Sequence, residues 1–493
     1  MTVAHEPCKS KRLHAVLLPY PAKGHSIPLL HLAMRLHSMG VVVTFANTYN
    51  HLSEEDLRSC DGLDSAVRVV RLGVPSPEWV GLESLPYSEH VEELVPEAER
   101  LVEELFTRHE DAPPACIISD MFLGCFRAVA NKFNIPRYVL FTSPAGGLAT
   151  MLHMPELIKQ GRLPIDHTKR EELVRDIPGV PPTRLADLPE PMQDPHKPFY
   201  TFYARNCEQM HEATGVLINT YYELEPTYID TLRETTYNIN GDGSGHRLSI
   251  LPVGPLLPEA YLATSENDSA PGNVDARDPC LQWLDSQPDC SVLYVSFGSL
   301  ATLSVEQIHE LAAGLEASGE RFLMTIRPPE NPENAPLFPE GFVERTQKVG
   351  FVWMSWAPQL KVLSHSAVSG FVTHCGWNST LESLCRGVTM LAWPIQAEQA
   401  MNARFIVDDV KAGIEVCRVT DGIVSRERVA KAVKVWVAEQ TSLKRNARRL
   451  QRLAMAAVND KHGSVQRNLL DFVAEVQHGK ESLEQVNGSR WSC

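Results

Sequence analysis

The chain has 493 residues, which is too long for one ordinary hydrophobic core and enough for two domains of about 250 residues each. Hydrophobic residues make up 43% and charged residues 22%, the usage of folded globular proteins, which excludes a disordered or fibrous chain. The formal net charge of −15 opposes binding to nucleic acid or to an anionic membrane, so we expect any anionic ligand to be held by a local site.

The beginning of the chain and its cysteines predict a cytoplasmic protein. The first twelve residues are polar and basic, and no apolar run long enough for a signal peptide follows them. No run of about eighteen apolar residues occurs, which argues against membrane insertion. The eleven cysteines contain no Cys-x-x-Cys pair and fit neither a disulfide framework nor a zinc site. We expect free thiols in a reducing compartment, and a monomer.

The first half alternates short apolar runs with helical patterns, which is typical of an open parallel sheet. Two β–α–β units are predicted, and the second contains an apolar strand of the kind that is buried on both faces. The predicted strands lie at residues 14–19, 41–47, 116–120 and 137–142, and the predicted helices at 27–38 and 122–133.

A second α/β unit is predicted after a stretch that is first proline-rich and then polar, which is the composition of a linker. The later strands are predicted at 292–297, 322–326, 367–373 and 390–393, and the later helices at 304–317, 379–385, 399–407 and 441–476. The predicted divisions are a first domain at 1–250, a linker at 251–280, a second domain at 281–460 and, at 461–493, a C-terminal helix that packs back on the first domain, plus a tail. Two such halves place a ligand cleft between the carboxyl ends of their strands.

A histidine follows the first predicted strand, where open α/β sheets place reacting groups. His25 lies in the sequence Lys-Gly-His-Ser-Ile-Pro, and Asp120 ends a strand in the same half. A carboxylate bonded to one ring nitrogen fixes the tautomer and leaves the other nitrogen basic, as a general base requires. The structural alternatives are a helix-capping or packed histidine and an N-capping aspartate.

The second half contains the strongest functional signal. A glycine and small polar residues open a helix immediately behind a strand, which leaves unpaired N–H groups and the positive end of a helix dipole for a diphosphate. His374, Asn378 and Ser379 add side-chain donors there. Trp356 can stack on a flat base, and Glu382 can accept from ribose hydroxyls. Taken singly, Trp356 could instead be core, Ser379 an N-cap and Glu382 a solvated helical residue.

The spacing of these residues resembles the plant secondary-product glycosyltransferase signature of the family 1 UDP-glycosyltransferases. In that family a box of 44 positions opens with Trp and closes with Gln, as Trp356 and Gln399 do here. The resemblance extends to the Gly-His-x-x-Pro sequence around His25, to Asp120 and to the turn at 296–299, so it covers nearly the whole chain. It implies a GT-B fold, an α/β fold of two Rossmann-like lobes whose parallel sheets face each other across a cleft.

The same resemblance implies an inverting transfer without a metal ion or other cofactor, and the sequence contains no Asp-x-Asp motif. His25 would be the base that deprotonates the acceptor, oriented by Asp120. The donor would be a UDP-sugar, and the closing Gln399 favours UDP-glucose. The predicted donor contacts are Trp356, Ala357, Gln359 and Glu382 for the uridine, Ser299, His374, Asn378 and Ser379 for the phosphates, and Trp377, Glu398 and Gln399 for the sugar.

Two departures from the family pattern concern the sugar. Glu398 stands where many members have Asp, and Gln396 where Phe is common, so the donor sugar is less firmly predicted than UDP. The acceptor is expected to be a small apolar hydroxylated molecule, such as a phenolic, a flavonoid or a terpenoid. Its pocket is predicted from first-half loops at 79–87, 143–148 and 181–203.

Two other classes of protein fit the sequence less well. A non-catalytic nucleotide-sugar binder of the same fold would not need both His25 and Asp120. An NAD-dependent dehydrogenase would need a Gly-x-Gly-x-x-Gly sequence directly after a strand, whereas the glycine-rich run at 241–245 lies in a polar loop before the predicted linker.

Overall fold

Two parallel β-sheets, one in each half of the chain, form the framework of the protein. The computed structural model describes residues 12–58, 63, 67–73, 90–108, 112–238, 245–263, 278–298, 301–328 and 336–486. Four predicted features therefore lie wholly or mostly outside the described residues: Ser299, the loop at 79–87, the glycine-rich run at 241–245 and residues 264–277 of the linker.

The first sheet has seven parallel strands. They are β1 (His14–Leu18), β2 (Val42–Thr48), β3 (Arg68–Leu72), β4 (Cys116–Asp120), β5 (Arg137–Phe141), β6 (Gly215–Ile218) and β7 (Ser249–Pro252). Their order in the sheet is β3-β2-β1-β4-β5-β6-β7, so the direction in which successive strands are added reverses beside β1. Every residue of β1, β4 and β5 is buried, as expected for strands covered by helices on both faces.

Eight helices accompany this sheet in the described part of the first half. They are α1 (Lys23–Ser38), α2 (Glu54–Arg58), α3 (Val95–Thr107), α4 (Arg127–Phe133), α5 (Ala145–Lys159), α6 (Pro198–Met210), α7 (Pro226–Glu234) and α8 (Glu259–Ala263). The predicted helix at 122–133 is shorter than expected, because a 3-10 turn occupies Gly124–Phe126 before α4 begins.

The second sheet repeats the plan with six parallel strands. They are β8 (Val292–Ser296), β9 (Arg321–Thr325), β10 (Gly350–Trp353), β11 (Val368–Thr373), β12 (Thr389–Ala392) and β13 (Gly413–Glu415). Their order is β10-β9-β8-β11-β12-β13. In both sheets the order reverses beside the first strand, and that reversal creates a crevice at the carboxyl ends of the strands.

The helices of the second half are α9 (Pro279–Asp285), α10 (Val305–Ser318), α11 (Phe342–Thr346), α12 (Gln359–Leu363), α13 (Trp377–Arg386), α14 (Gln399–Arg404), α15 (Arg426–Asn459) and α16 (Ser464–Val486). The segment predicted as helical at 441–476 is helical except for a break between α15 and α16, close to the predicted division at 460/461. At that break a Cβ atom on Gly463 would lie 2.3 Å from the carbonyl oxygen of Ala457, so the turn requires a residue without a side chain.

The last helix, α16, packs against the first sheet. The rings of Phe472 and Tyr138 lie edge to face with their centroids 4.9 Å apart. Glu475 accepts hydrogen bonds from the hydroxyls of Tyr138 and Ser249, at 2.9 and 2.8 Å. One buried hydrophobic cluster also includes Leu17 of β1 together with residues of α13 and α16, so the halves share buried contacts. None of the helices in the described ranges is long and apolar enough to cross a bilayer.

Candidate active site

His25 lies in the first turn of α1, directly behind β1. The helix begins at Lys23, four residues before its predicted start, so His25 is its third residue. The N-cap is Ala22, and no side chain caps this end of the helix. His25 is therefore not a capping residue, and its ring is free to bond elsewhere.

Asp120, at the end of β4, reaches the histidine. Its Oδ2 lies 2.9 Å from Nδ1 of His25, and its Oδ1 accepts the backbone N–H of Phe122 at 2.9 Å. The carboxylate is fully buried. It does not cap the following α4, whose N-cap is Phe126. One oxygen therefore fixes the chain behind β4, and the other fixes the imidazole.

The second ring nitrogen of His25 faces away from this pair. Nδ1 also lies 3.2 Å from Oγ1 of Thr142, whereas Nε2 has no hydrogen bond in the described part of the chain. Burial lowers the pKa of His25, but the charge of Asp120, the hydrogen bond to it and the charge of Glu398 together outweigh burial, and the pKa is raised above 6.5. This is the arrangement of a general base oriented through Nδ1.

Aromatic rings lie beside the histidine. The ring centroids of Tyr20 and Phe122 lie 5.5 and 5.2 Å from that of His25. In the structure the end of the range predicted as a loop, 181–203, forms the first turns of α6 instead. Three aromatic residues there have ring centroids within 6 Å of that of Phe122. They are Phe199, Phe202 and Tyr203. Sequence reasoning missed Tyr20 and Phe122, although Tyr20 lies between β1 and His25 and Phe122 lies two residues after Asp120.

On the opposite side, α13 begins behind β11 with amides that have no acceptor among the described residues. Gly376 is the N-cap, and no side chain caps it. The first intrahelical bond in this turn runs from Thr380 N–H to the carbonyl oxygen of Gly376, at 3.0 Å. The preceding amides, from Trp377 to Ser379, have no acceptor within the helix. They and the helix dipole can therefore hold an anion, as predicted from the sequence.

His374 is enclosed by backbone beside this helix end. A Cβ atom on Gly298 would lie 2.6 Å from its ring, and one on Gly376 would lie 2.4 Å from it, so both neighbours must be glycine. Nδ1 of His374 is buried and has no partner among the described residues. Burial lowers the pKa of His374 to about 4, so the imidazole is neutral near pH 7. A neutral ring can donate one N–H without adding charge.

Three polar side chains, those of Gln359, Ser379 and Glu382, form a hydrogen-bonded cluster. Nε2 of Gln359 lies 3.0 Å from Oγ of Ser379 and 2.6 Å from Oε2 of Glu382. Burial raises the pKa of Glu382 to about 7, although the hydrogen bond from Gln359 acts against it. Trp356 is 67% exposed and is not a core residue, whereas Ala357 is buried. An exposed indole and a cluster of partly buried polar side chains in the same 44-position box suit a nucleoside.

A hydrogen bond across the cleft joins α13 to the turn that holds His25. Pro28 lies inside α1 and has no N–H, so the carbonyl of Gly24 lacks its usual donor four residues later. Nδ2 of Asn378 donates to that carbonyl at 3.0 Å instead. The predicted phosphate ligand thus sits next to the predicted base.

The indole of Trp377 does not line the cleft. It is 3% exposed, and its Nε1 donates to the carbonyl oxygen of Asn219 at 2.7 Å. Its ring also packs against Phe405. The predicted sugar contact can therefore come only from the backbone of Trp377, and the sequence offered no signal for Asn219.

The last two predicted sugar contacts are held in place by their surroundings. Oε1 of Glu398 lies 3.3 Å from Oγ of Ser143 in the first half. Oε1 of Gln399 accepts the backbone N–H groups of Ile395 and Gln396, both at 2.9 Å. The Gln399 carboxamide is therefore oriented with its NH₂ group away from this loop.

Comparison with known proteins identifies the family. The family model "UDP-glucoronosyl and UDP-glucosyl transferase" matches residues 273–457, which enclose the 44-position box. UDP-glycosyltransferase 72B1 of Arabidopsis thaliana is 35% identical to this chain, over an alignment that covers 98% of this chain and 99% of that protein. The chain belongs to the UDP-glycosyltransferases. The resemblance predicted from its motifs is thereby confirmed, and the protein is a UDP-dependent glycosyltransferase.

Solved structures confirm the GT-B fold of this UDP-glycosyltransferase. A UDP-glucosyltransferase from Polygonum tinctorium, solved with 3,4-dichloroaniline, is 31% identical, has a TM-score of 0.80 and aligns over 95% of this chain and 99% of its own. Phytolacca americana UGT2, solved with UDP-2fluoro-glucose and pterostilbene, is 30% identical, has a TM-score of 0.78 and aligns over 94% of this chain and 100% of its own.

Proposed function

We propose that this UDP-glycosyltransferase moves glucose from UDP-glucose, with inversion, onto a hydroxyl of a small apolar acceptor. The observation that carries the proposal is the paired arrangement of His25 with Asp120 on one side of the cleft and the uncapped start of α13 on the other. The bond from Asn378 to the carbonyl of Gly24 brings these two sides together.

In this mechanism Nε2 of His25 takes the proton of the acceptor hydroxyl while Asp120 holds Nδ1. The acceptor oxygen forms a bond to the anomeric carbon as the bond from that carbon to the phosphate oxygen breaks. Attack from the face opposite the leaving group inverts the anomeric centre. Negative charge develops on UDP, where the amides and dipole of α13 and the N–H of His374 stabilise it.

The donor residues have distinct roles in the proposal. Trp356 stacks on the uracil, with Ala357 and Gln359 holding the base and the ribose. Glu382 accepts from the ribose hydroxyls. The phosphates are bound by His374, Asn378, Ser379 and Ser299, and the sugar by Glu398, Gln399 and the backbone of Trp377.

The choice of glucose and of an aromatic or terpenoid acceptor is supported by relatives. The 7-deoxyloganetin glucosyltransferase of Catharanthus roseus is 33% identical over 93% of this chain. Phytolacca americana UGT2 was solved with a fluorinated glucose donor and with pterostilbene. Tyr20 and Phe122 are buried beside His25, and the partly exposed ring of Phe199, which packs on Phe122, offers a flat apolar face to such an acceptor.

A panel of acceptors assayed with UDP-glucose, UDP-galactose and UDP-glucuronate tests the proposal. We expect UDP release that depends on an added phenolic or terpenoid alcohol, fastest with UDP-glucose, and a β-glucoside by NMR. UDP release that is independent of acceptor, or binding of UDP-glucose without turnover for every acceptor, would contradict it.

We also propose that the transfer needs no metal ion, since α13 and His374 supply the electrostatic stabilisation of the leaving group. Turnover after dialysis against EDTA should equal that before it, and adding Mg²⁺ or Mn²⁺ to the dialysed protein should not raise it. A loss of turnover that Mg²⁺ restores would contradict this part.

We propose further that the protein acts as a cytoplasmic monomer. Light scattering tests the oligomeric state, and imaging of the tagged chain tests the location.

A further inference from the structure

Asn402, the fourth residue of α14, is a polar side chain with 0% exposure. Its Nδ2 lies 2.9 Å from the carbonyl oxygen of Cys375 and 3.4 Å from Oε1 of Glu398. The carbonyl of Cys375 can only accept a hydrogen bond, and the ionised carboxylate of Glu398 can only accept one as well. The amide nitrogen of Asn402 must therefore face them. The two hydrogens of one NH₂ group therefore reach both the turn before α13 and the predicted sugar contact.

The first of these bonds supports a strained turn. Cys375 has a φ of 65°, a left-handed backbone conformation that is unfavourable for a residue with a side chain. The turn joins β11 to Gly376, the N-cap of α13. Its amide donates to Oγ1 of Thr373 at 3.2 Å, and its carbonyl accepts from Asn402. The position of the phosphate-binding amides thus depends on a backbone that Asn402 holds.

The second bond orients the carboxylate of Glu398. Oε1 accepts from Asn402 and, across the cleft, from Ser143. No hydrogen bond to Oε2 occurs among the described residues, which leaves that oxygen for a sugar hydroxyl. Because Glu398 is also one of the charges that raise the pKa of His25, its orientation bears on both the sugar and the base.

Burial of Asn402 does not by itself stabilise the fold well. Its Oδ1 is buried and has no hydrogen-bond partner among the described residues, which is unfavourable for a carbonyl oxygen. An aliphatic residue would remove this unsatisfied atom. The side-chain amide of Asn402 is therefore better explained by its two hydrogen bonds at the cleft than by a contribution to the stability of the core.

We propose that Asn402 is a positioning residue for the sugar donor: through one NH₂ group it fixes the turn at Cys375 and the carboxylate of Glu398 relative to each other. The diphosphate and the sugar are then held in one geometry with respect to His25. This inference rests on the proposed function, because it assumes that a UDP-sugar binds at α13 and reaches Glu398.

The test compares N402A with a matched control, N446A. Nδ2 of Asn446 donates to the carbonyl of Lys411 at 2.9 Å, and Lys411 also has a positive φ, of 53°. The control thus removes the same bond to the same kind of strained turn, away from every proposed ligand contact. Both variants are assayed for kcat, for the KM of UDP-glucose and of the acceptor, and for the Kd of UDP and UDP-glucose.

For N402A we expect kcat/KM for UDP-glucose to fall about ten- to a hundredfold, since two hydrogen bonds are lost and one of them is to a charged group. The Kd of UDP-glucose should rise more than that of UDP, and the KM of the acceptor should stay within about twofold. N446A should match the wild type. Equal donor kinetics in the two variants would overturn the proposal. A lower kcat with an unchanged donor KM and Kd would also overturn it, because a smaller fraction of correctly folded enzyme lowers kcat in that way.

Two further comparisons keep the test decisive. If N402A does not fold, N402S is measured instead, since its hydroxyl is small and retains a donor; the same shift in donor Kd is then expected, only smaller. If the wild type itself shows no acceptor-dependent release of UDP, the proposed function fails. Normal transfer by the wild type together with an N402A variant that is like N446A overturns the role of Asn402 alone.

Discussion

Nδ1 of His25 and Oδ2 of Asp120 are 2.9 Å apart although 95 positions separate the two residues in the chain. The sheet explains the contact. β1 pairs in parallel with β4, with Leu18 opposite Ser119, so the two strands end side by side. The chain enters α1 soon after β1, and the carboxylate follows Ser119 directly. Neighbouring parallel strands of the first sheet therefore place both members of the pair.

Removing the imidazole should abolish most of the turnover but not the binding of the donor. General-base help is worth about 10² to 10⁴-fold, so we expect kcat of H25A to fall by at least about a hundredfold. The Kd of UDP-glucose, from calorimetry, should change little. H37A, an exposed histidine on the same helix, is the control and should retain wild-type kcat. A kcat of H25A within twofold of the wild type would exclude the role of His25.

Replacing Asp120 should shift the pH profile as well as the rate. The base must be neutral to accept a proton, so kcat/KM falls as pH drops through the pKa of His25. The Asp120 charge is the main contribution that raises this pKa. In D120N the pKa should therefore fall and the acidic limb should move to lower pH, while kcat drops by about 10² to 10⁴-fold because the tautomer is no longer fixed. An unchanged acidic limb in kcat/KM profiles between pH 5 and 9 would contradict the pairing.

The sequence predicted the strand that carries Asp120 better than the contacts that hold the turn around His25. The strand at 116–120 has its predicted bounds, because a short apolar run that ends in Asp indicates a buried strand. The start of α1 was placed too late, because Gly24 and Pro28 look like loop residues. In the folded chain Asn378 supplies the hydrogen bond that Pro28 cannot, and that compensation depends on the tertiary structure.

Buried positioning residues left no pattern in the sequence. Thr142, the carbonyl of Asn219 and the side-chain amide of Asn402 act through hydrogen bonds that reach other elements of the fold, and neither spacing nor composition marks these residues. The same applies to Trp377: its place in the box suggested a sugar contact, whereas packing between the halves buries its indole. Periodicity and motifs reveal which element a residue belongs to, and tertiary packing decides which way it points.

Trp356 should determine much of the affinity for UDP. It is 67% exposed, with Nζ of Lys23 5.6 Å from the ring centroid, so much of the indole is accessible for stacking, which is worth about 1–3 kcal/mol per base. We expect the Kd of UDP for W356A to rise about five- to a hundredfold. The Kd of UDP for W356F, which keeps a smaller ring, should lie between those of the wild type and W356A. M354A is the control, since Met354 lies in the same loop and is 58% exposed. Equal losses in M354A and W356A would point to a disturbed loop instead of lost stacking.

Glu382 should make donor binding depend on pH near neutrality. Burial raises its pKa to about 7, and only the ionised carboxylate can accept from both ribose hydroxyls. Affinity for UDP-glucose should therefore be higher at pH 8 than at pH 6, and it should be lost as the pH falls through about 7. Protonation of His25 acts in the opposite direction, because a cation attracts the diphosphate at low pH.

The variant E382Q isolates the contribution of this carboxylate. Its Kd for UDP-glucose should be about tenfold weaker than that of the wild type at pH 8 and nearly equal to it at pH 6. UDP-glucose is the proper ligand, because the terminal phosphate of free UDP itself titrates near pH 6. Calorimetry at the two pH values gives both constants. A wild type and an E382Q variant with parallel pH dependence would show that Glu382 does not accept from the ribose.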